Sequence, residues 1–168
     1  MWKTTIKSPV GELQVFATER GLSGLLWPEL DDKRFNIDEY QDSPNQPVFK
    51  QLTTQLNEYF AGKRQEFDLP LAPVGTAFQR LAWDALCQIP FGTTRSYREQ
   101  AASIGRANAV RAIGAANGKN PISIVIPCHR VIGSNGNLTG FAGGIDVKRF
   151  LLDHEASVCG ANLPQFAK

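Results

Sequence analysis

Ile122-Ser123-Ile124-Val125-Ile126-Pro127-Cys128-His129-Arg130-Val131 is the stretch on which the reading of this chain turns. Its first half is apolar and rich in β-branched residues, which predicts a buried strand. Pro127 has no N–H to give to a strand ladder, so the strand is expected to stop there. Cys128 then stands where buried scaffold meets an accessible site. Only a thiolate attacks, and neighbouring positive charge favours it, so a thiol beside an imidazole and a guanidinium is a candidate nucleophile. The competing reading is a buried, inert structural cysteine.

On the C-terminal side, residues 132–144 (IGSNGNLTGFAGG) form a turn-rich loop whose glycines would let a backbone approach a ligand closely. Asp146 is expected to cap a last helix running to about Glu155, with Val147, Phe150, Leu151 and His154 on one face. The tail from Cys159 to Lys168 reads as loosely held, and Cys159 as incidental. On the N-terminal side, Ser96-Tyr97-Arg98-Glu99 has the capping-box pattern of a helix start. That helix is predicted to reach Ile104 and break at Gly105. A second helix follows over Ala107–Ala116, and the pair looks like a helix-turn-helix. The second helix carries Arg111 among alanines and glycine and few of the Asn, Gln and Arg side chains that distinguish bases in a major groove. Its small residues either approach a backbone or narrow groove, or pack against a neighbouring helix.

Further out, Thr76–Ile89 is a helix opened by a Thr76/Gln79 capping box, with Cys87 beside its apolar stripe and read as packing. Phe67–Pro73 is extended and proline-punctuated. Val48–Ala61 is a clear amphipathic helix, preceded by Pro47. Residues 28–47 are polar and acidic and read as a loop with one short helix around Lys33–Tyr40. Before them, Trp2–Lys7, Leu13–Ala17 and Leu22–Trp27 are strands joined by tight turns, which predicts an antiparallel meander.

The 168 residues allow one domain or two small ones, without disulfide or metal staples. Three widely spaced cysteines and two histidines form no disulfide framework and no zinc motif. No apolar run is long enough to span a bilayer and no signal-peptide core opens the chain, so a cytoplasmic location without membrane attachment is expected. Residues 1–73 hold 8 Lys+Arg against 11 Asp+Glu, and residues 74–168 hold 10 against 5. The basic half suggests an anionic partner, nucleic acid first, against the alternative of a solvated basic face. A domain boundary is placed at this change, giving domains 1–73 and 74–168.

With these residues in view, the chain resembles the O6-alkylguanine-DNA alkyltransferases, in the bacterial constitutive form. The resemblance rests on Pro127-Cys128-His129-Arg130-Val131 preceded by Asn120-Pro121, on Ser96-Tyr97, on the Ala-rich helix with Arg111, on Phe141-Ala142-Gly143-Gly144 and on Leu151-Leu152-Asp153-His154-Glu155. It covers roughly Thr76–Glu155 with high specificity, and the preceding residues follow it loosely. It implies an α/β (α+β) protein. The N-terminal domain would be a small antiparallel sheet plus helix, ribonuclease H-like, and the helical C-terminal domain would carry a winged-helix-like helix-turn-helix.

The resemblance also implies the chemistry: one irreversible transfer of an alkyl group from O6 of a damaged guanine, or O4 of an alkylthymine, to Cys128. His129 would deprotonate the thiol through a water, Glu155 would orient His129, and Tyr97 would donate toward the departing guanine. Arg111 would fill the gap left by a flipped base. Ser96, Thr94 and Ala112 would meet DNA, through the minor groove. Asn120, Val131, Ser134, Phe141, Ala142 and Gly143 would shape the base pocket. The partner is double-stranded DNA containing O6-alkylguanine, the protein acts as a monomer, and no cofactor or metal is expected. Some relatives bind zinc through N-terminal Cys and His, and this chain has neither before Cys87. Phe141 and Ala142 stand where some relatives have Tyr and Ser. The rival readings are a non-catalytic reader of alkylated DNA, a cysteine hydrolase and a helix-turn-helix regulator.

Overall fold

A computed structural model describes residues 1–160. The chain divides into two compact units, Met1–Val74 and Gly75 onward. The C-terminal residues 161–168, the larger part of the expected loose tail, lie outside the described residues.

The first unit is built on three sequential strands, β1 (Trp2–Ser8), β2 (Gly11–Thr18) and β3 (Gly21–Leu26), paired antiparallel as the turn signals predict. A two-residue strand, β4 (Gln41–Asp42), pairs parallel with β1, so the sheet order is β3-β2-β1-β4. Helix α1 (Pro47–Phe60) buries Phe49, Leu52, Leu56 and Tyr59. β2 does not alternate between a buried and an exposed face, because Val15, Phe16 and Ala17 are all buried. A register shift falls between Phe16 and Ala17, and Phe35 and Tyr40 pack on the Phe16 ring at centroid distances of 4.6 and 4.7 Å. Residues 28–47 are therefore more than a solvated loop. They contribute β4, this aromatic cover and two single 3-10 turns, Pro28–Leu30 and Ile37–Glu39, in place of one helix. Gly21 is required by space as well as by its φ of +138°, since a Cβ there would lie 2.3 Å from the Pro70 carbonyl oxygen. That contact lets 70–72 run beside β3, bonded through Leu22 N to Pro70 O and Ala72 N to Leu22 O.

In the second unit both capping boxes form. Thr76 caps α2 (Ala77–Cys87) with Gln79, and Ser96 caps α3 (Tyr97–Ser103) with Glu99. Gly105, at φ +71°, turns the chain toward α4 (Val110–Gly118). This helix starts three residues later than the sequence suggests, because an Arg106–Ala109 turn precedes it. It continues through Asn117 and Gly118, because Asn117 is held inside. Its side chain exchanges two hydrogen bonds with Gln100, at 2.9 and 2.8 Å, and Gln100 also donates to Ala82 O. Trp83 donates to Ala116 O, so α2, α3 and α4 are joined by satisfied buried polar groups as well as by the apolar contacts of Ala82, Ala101, Ile113 and Ala116. Cys87 is exposed, not packed.

The expected strand over Ile122–Ile126 does not form. The segment is buried, but it folds on itself: Ile126 N bonds to Ile122 O, Val125 N to Ser123 O, and Ile124 takes a φ of +73°. A left-handed β-branched residue costs about 1–3 kcal/mol and persists only where its surroundings hold it. Asn120 does so here. Its Oδ1 accepts from Ile122 N at 3.0 Å and its Nδ2 donates to Ile126 O at 2.8 Å, satisfying groups that a strand would pair with a neighbour. Cys128–Arg130 form a 3-10 turn, and β6 (Val131–Ile132) pairs parallel with β5 (Arg95–Ser96). The last helix, α5 (Ile145–Val158), begins after Gly144; Asp146 lies inside its first turn and does not cap it. Its buried face is Lys148, Leu151, Leu152, Glu155 and Ala156, and Phe150 is exposed.

Candidate active site

Cys128 lies at the end of the knotted segment and at the start of the 3-10 turn, 8 % exposed. Asn120 Nδ2 donates to its sulfur at 3.1 Å, so one amide both closes the 122–126 turn and holds the thiol. The thiol borders a cavity of about 520 Å³. Tyr97, Asn120, Ser123 and residues 139–142 line it, together with Val110, Arg111, Gly114, Asn117 and Gly118 of α4.

Behind the thiol is a closed polar cluster. His129 is fully buried, and its Nε2 lies 2.7 Å from Glu155 Oε2. Arg130 donates to both Glu155 oxygens, at 2.8 and 3.1 Å, and to Ile89 O, and it lies over the Phe91 ring. Gly92 N donates to Glu155 Oε1 as well. Burial alone would raise the Glu155 carboxyl, but His129 and Arg130 hold it well below the usual carboxylate range. An ionised carboxylate only accepts, so His129 carries its proton on Nε2 and presents Nδ1 as a lone pair. Nδ1 is buried and makes no hydrogen bond within the protein. Burial lowers the His129 pKa against the pull of Glu155, so the ring is neutral and basic near pH 7.

In sequence, both cationic residues, His129 and Arg130, follow the thiol directly and are expected to favour its thiolate. The geometry divides them differently. Arg130 is engaged with Glu155 and Ile89, and His129 turns its Nε2 to the same carboxylate. Burial raises the Cys128 pKa, and the opposing pull comes from the Asn120 hydrogen bond and the charge of Lys148. The thiol is therefore protonated at rest and needs a base. Lys148 was missed. Its place was readable only as the first position of a Lys148, Leu151, Leu152, Glu155 spacing along one helix face.

Among the other expected site residues, Tyr97 Oη is 3.2 Å from both the carbonyl oxygen and the hydroxyl of Thr139, and Phe141 and Ala142 line the cavity. Arg111 is exposed at its edge. Ala112 and Thr94 are exposed outside the lining, and Ser96 uses its hydroxyl as the cap of α3. Val131 is buried in β6, Ser134 is exposed in the following loop, and neither they nor Gly143 line the cavity. On α4, Arg111, Ala112, Ala115 and Gly118 are exposed, so these small residues face outward and only Ala116 serves the helix packing. Among the described residues no group of three or more His, Cys, Asp or Glu could hold a metal ion, and no helix is long and apolar enough to cross a membrane.

A held thiol on a cavity, a neutral imidazole oriented by an ionised acid and a bare helix beside the opening define a cysteine-nucleophile protein built on a helix-turn-helix. Comparison with known proteins gives the family. Residues 1–73 match the ribonuclease-like domain of 6-O-methylguanine DNA methyltransferase, and residues 77–157 match its DNA binding domain. A methylated-DNA–protein-cysteine methyltransferase of Methanosarcina barkeri is 49 % identical over 92 % of this chain and 97 % of its own. A constitutive enzyme of that name from Bacillus subtilis is 45 % identical over 90 % of this chain and 93 % of its own. The crystal structure of the Mycobacterium tuberculosis O6-methylguanine methyltransferase superposes with a TM-score of 0.87 at 45 % identity, covering 96 % of each chain. The Mycobacterium tuberculosis protein has also been solved in complex with DNA, again with a TM-score of 0.87 and 45 % identity, covering 94 % of each chain. The chain belongs to the 6-O-methylguanine DNA methyltransferase family.

Proposed function

We propose that this protein repairs alkylated DNA directly, by accepting one alkyl group from O6 of guanine onto Cys128. The observation that carries the reading is the Cys128 thiol on a 520 Å³ cavity, backed by the buried His129–Glu155 pair. His129 Nδ1 takes the thiol proton through a bridging water, as the ring's other nitrogen is held by Glu155. The thiolate forms an S–C bond to the alkyl carbon while the C–O6 bond breaks, and the electron pair passes into the guanine. Tyr97 is positioned at the cavity wall to donate to the departing base. The thioether is stable, so each molecule acts once.

The base must leave the stack to reach a recessed thiol. Arg111 stands at the cavity edge where it would fill the vacated space. The exposed small residues of α4 suit close docking in the minor groove, where bases are poorly distinguished. The protein works as a monomer in the cytoplasm on double-stranded DNA, and O4-alkylthymine is a second substrate. Cys128 itself weighs against a non-catalytic reader, which has no use for a held nucleophile.

Mixing the protein with duplex DNA containing one O6-methylguanine is expected to add a single methyl to the Cys128 peptide, saturating at one per chain by mass spectrometry. Multiple turnover, or methylation of Cys87 or Cys159, would contradict the reading. The variant Arg111→Ala should slow repair of duplex DNA by roughly tenfold or more while leaving reaction with free O6-benzylguanine nearly unchanged, since only the duplex requires a few kcal/mol of unstacking. Equal losses on both substrates would remove Arg111 from the flipping step.

A further inference from the structure

Ser123 has no solvent-exposed surface and lines the same cavity as Cys128, and the reaction as proposed above does not use it. Its backbone is spent in the 122–126 turn, where its carbonyl accepts from Val125 N at 2.9 Å. Its hydroxyl is not spent: Ser123 Oγ has no hydrogen-bond partner among the described residues. Native proteins pair the large majority of buried side-chain polar atoms, so an unpaired one on a cavity wall points to a ligand atom. The neighbouring uncharged polar side chains of the wall are already engaged. Tyr97 Oη and the Thr139 hydroxyl lie 3.2 Å apart, the Asn117 amide bonds to Gln100, and the Asn120 amide serves the turn and the thiol. Asn120 also fixes where along the cavity Ser123 stands. Its side chain reaches Ile122 N at 3.0 Å and the Cys128 sulfur at 3.1 Å, so the residue after Ile122 sits at the thiol end. The carbon to be transferred must lie at that end.

We infer that Ser123 is a specificity-determining residue whose hydroxyl donates a hydrogen bond to an oxygen carried by the O6 adduct itself, so that 2-hydroxyethyl-type lesions are preferred to alkyl lesions of the same size. The inference rests on the reading of Cys128 as alkyl acceptor and deepens it by naming a substrate class. In the step, the Cys128 sulfur bonds to the first carbon of the adduct as the C–O6 bond breaks and its electron pair passes into the guanine. The second carbon and its oxygen pass unchanged into the thioether, and Ser123 keeps its proton. An oxygen on the second carbon gives the buried hydroxyl the partner it lacks. A propyl group has the same number of heavy atoms but sets carbon against the hydroxyl and leaves it unpaired. A wall of this kind discriminates through the cost of the unpaired group, which falls on the analogue lacking the polar atom. A methyl adduct ends before either atom, so the preference shows only in longer adducts.

The test compares the wild-type chain with Ser123→Ala and Ser123→Thr on duplex DNA carrying one O6-(2-hydroxyethyl)guanine or one O6-propylguanine. Single-turnover transfer to the Cys128 peptide is followed by mass spectrometry. The readout is the ratio of the two rates within each chain, because comparing ratios between chains cancels the intrinsic reactivity of the adducts. Ser123→Ala is expected to lower the hydroxyethyl-to-propyl ratio about tenfold, and Ser123→Thr, which keeps a hydroxyl, to hold it within about threefold of wild type. An unchanged ratio in Ser123→Ala, with both rates slowed alike or neither slowed, would overturn the inference. A ratio lost equally in Ser123→Thr would trace the preference to packing and overturn it as well. Stability gives an independent reading. Ser123→Ala removes a buried hydroxyl that the protein leaves unpaired, so its urea midpoint should equal or exceed that of wild type. A lower midpoint, or failure to fold, would show that the protein itself pairs the hydroxyl, and the inference would fall. Wild-type protein that takes no alkyl group at Cys128 from either duplex or from O6-methylguanine would instead count against the alkyl-acceptor reading.

Discussion

Glu155→Gln is expected to cost about 3–5 kcal/mol of stability and to remove alkyl transfer almost entirely. The carboxylate is buried and accepts from His129, from both donors of Arg130 and from Gly92 N. An amide of the same shape supplies one acceptor and introduces an N–H₂ that must face a donor on one side or the other. Arg130 is then left with an uncompensated buried charge, the costly way to break an ion pair. The chemical effect is separate from the structural one. With an amide donor opposite Nε2, His129 moves its proton to Nδ1 and loses the lone pair that would serve the thiol. A wrong-tautomer imidazole elsewhere costs roughly 10⁴-fold in rate, and a loss on the order of 10³-fold or more is expected in the folded fraction here. Urea denaturation measures the first effect and single-turnover methyl transfer the second. Transfer within tenfold of wild type in folded Glu155→Gln would detach His129 from the role of base.

Asn120→Ala is expected to destabilise by about 2–5 kcal/mol, more than its size suggests, because it orphans Ile122 N and Ile126 O, two buried backbone groups worth about 1–3 kcal/mol each. It also releases the strained Ile124 turn and frees the Cys128 sulfur from its 3.1 Å donor. The thiol pKa, already raised by burial, should rise further, since that hydrogen bond is the largest influence lowering it. Slower carboxamidomethylation of Cys128 at neutral pH, together with a lower urea midpoint, is the expected pair of results. A stability loss without any change at the thiol would show that Asn120 serves the turn alone.

The elements that were legible in advance are those written locally. Thr76 with Gln79 and Ser96 with Glu99 are reciprocal caps made within one turn, and both form where read. The three strands of the meander are bounded by turn residues a few positions away. Illegible elements depend on distant partners. An apolar β-branched run such as Ile122–Ile126 has the same periodicity whether a strand or a buried turn takes it, and Asn120 side-chain bonding decides between them. Strand β4 is two residues long and gains its identity from β1. Phe16 is inside because Phe35 and Tyr40 arrive from another segment.

The same division holds at the site. Cys128 and the residues around it carry a local signature, and the His129–Glu155 pairing followed from the family resemblance. The use of Arg130 for Glu155 rather than for the thiol, and the burial of Lys148, required the folded arrangement of α5 against the 3-10 turn.

Under the proposed docking of α4 on DNA, its outward face would bear on how lesions are found. Arg111 stands there among Ala112, Ala115 and Gly118, which present no hydrogen-bonding side chain to a base edge. Docked on duplex as proposed, a surface of that kind would give every stretch nearly the same binding energy, so undamaged DNA would hold the protein no more firmly in one place than in another. Discrimination would then be deferred to the cavity, once a flipped nucleotide had entered it. Under that proposal, search would be a matter of sampling frequency rather than of affinity, and an undamaged base would be rejected because it offers no transferable group.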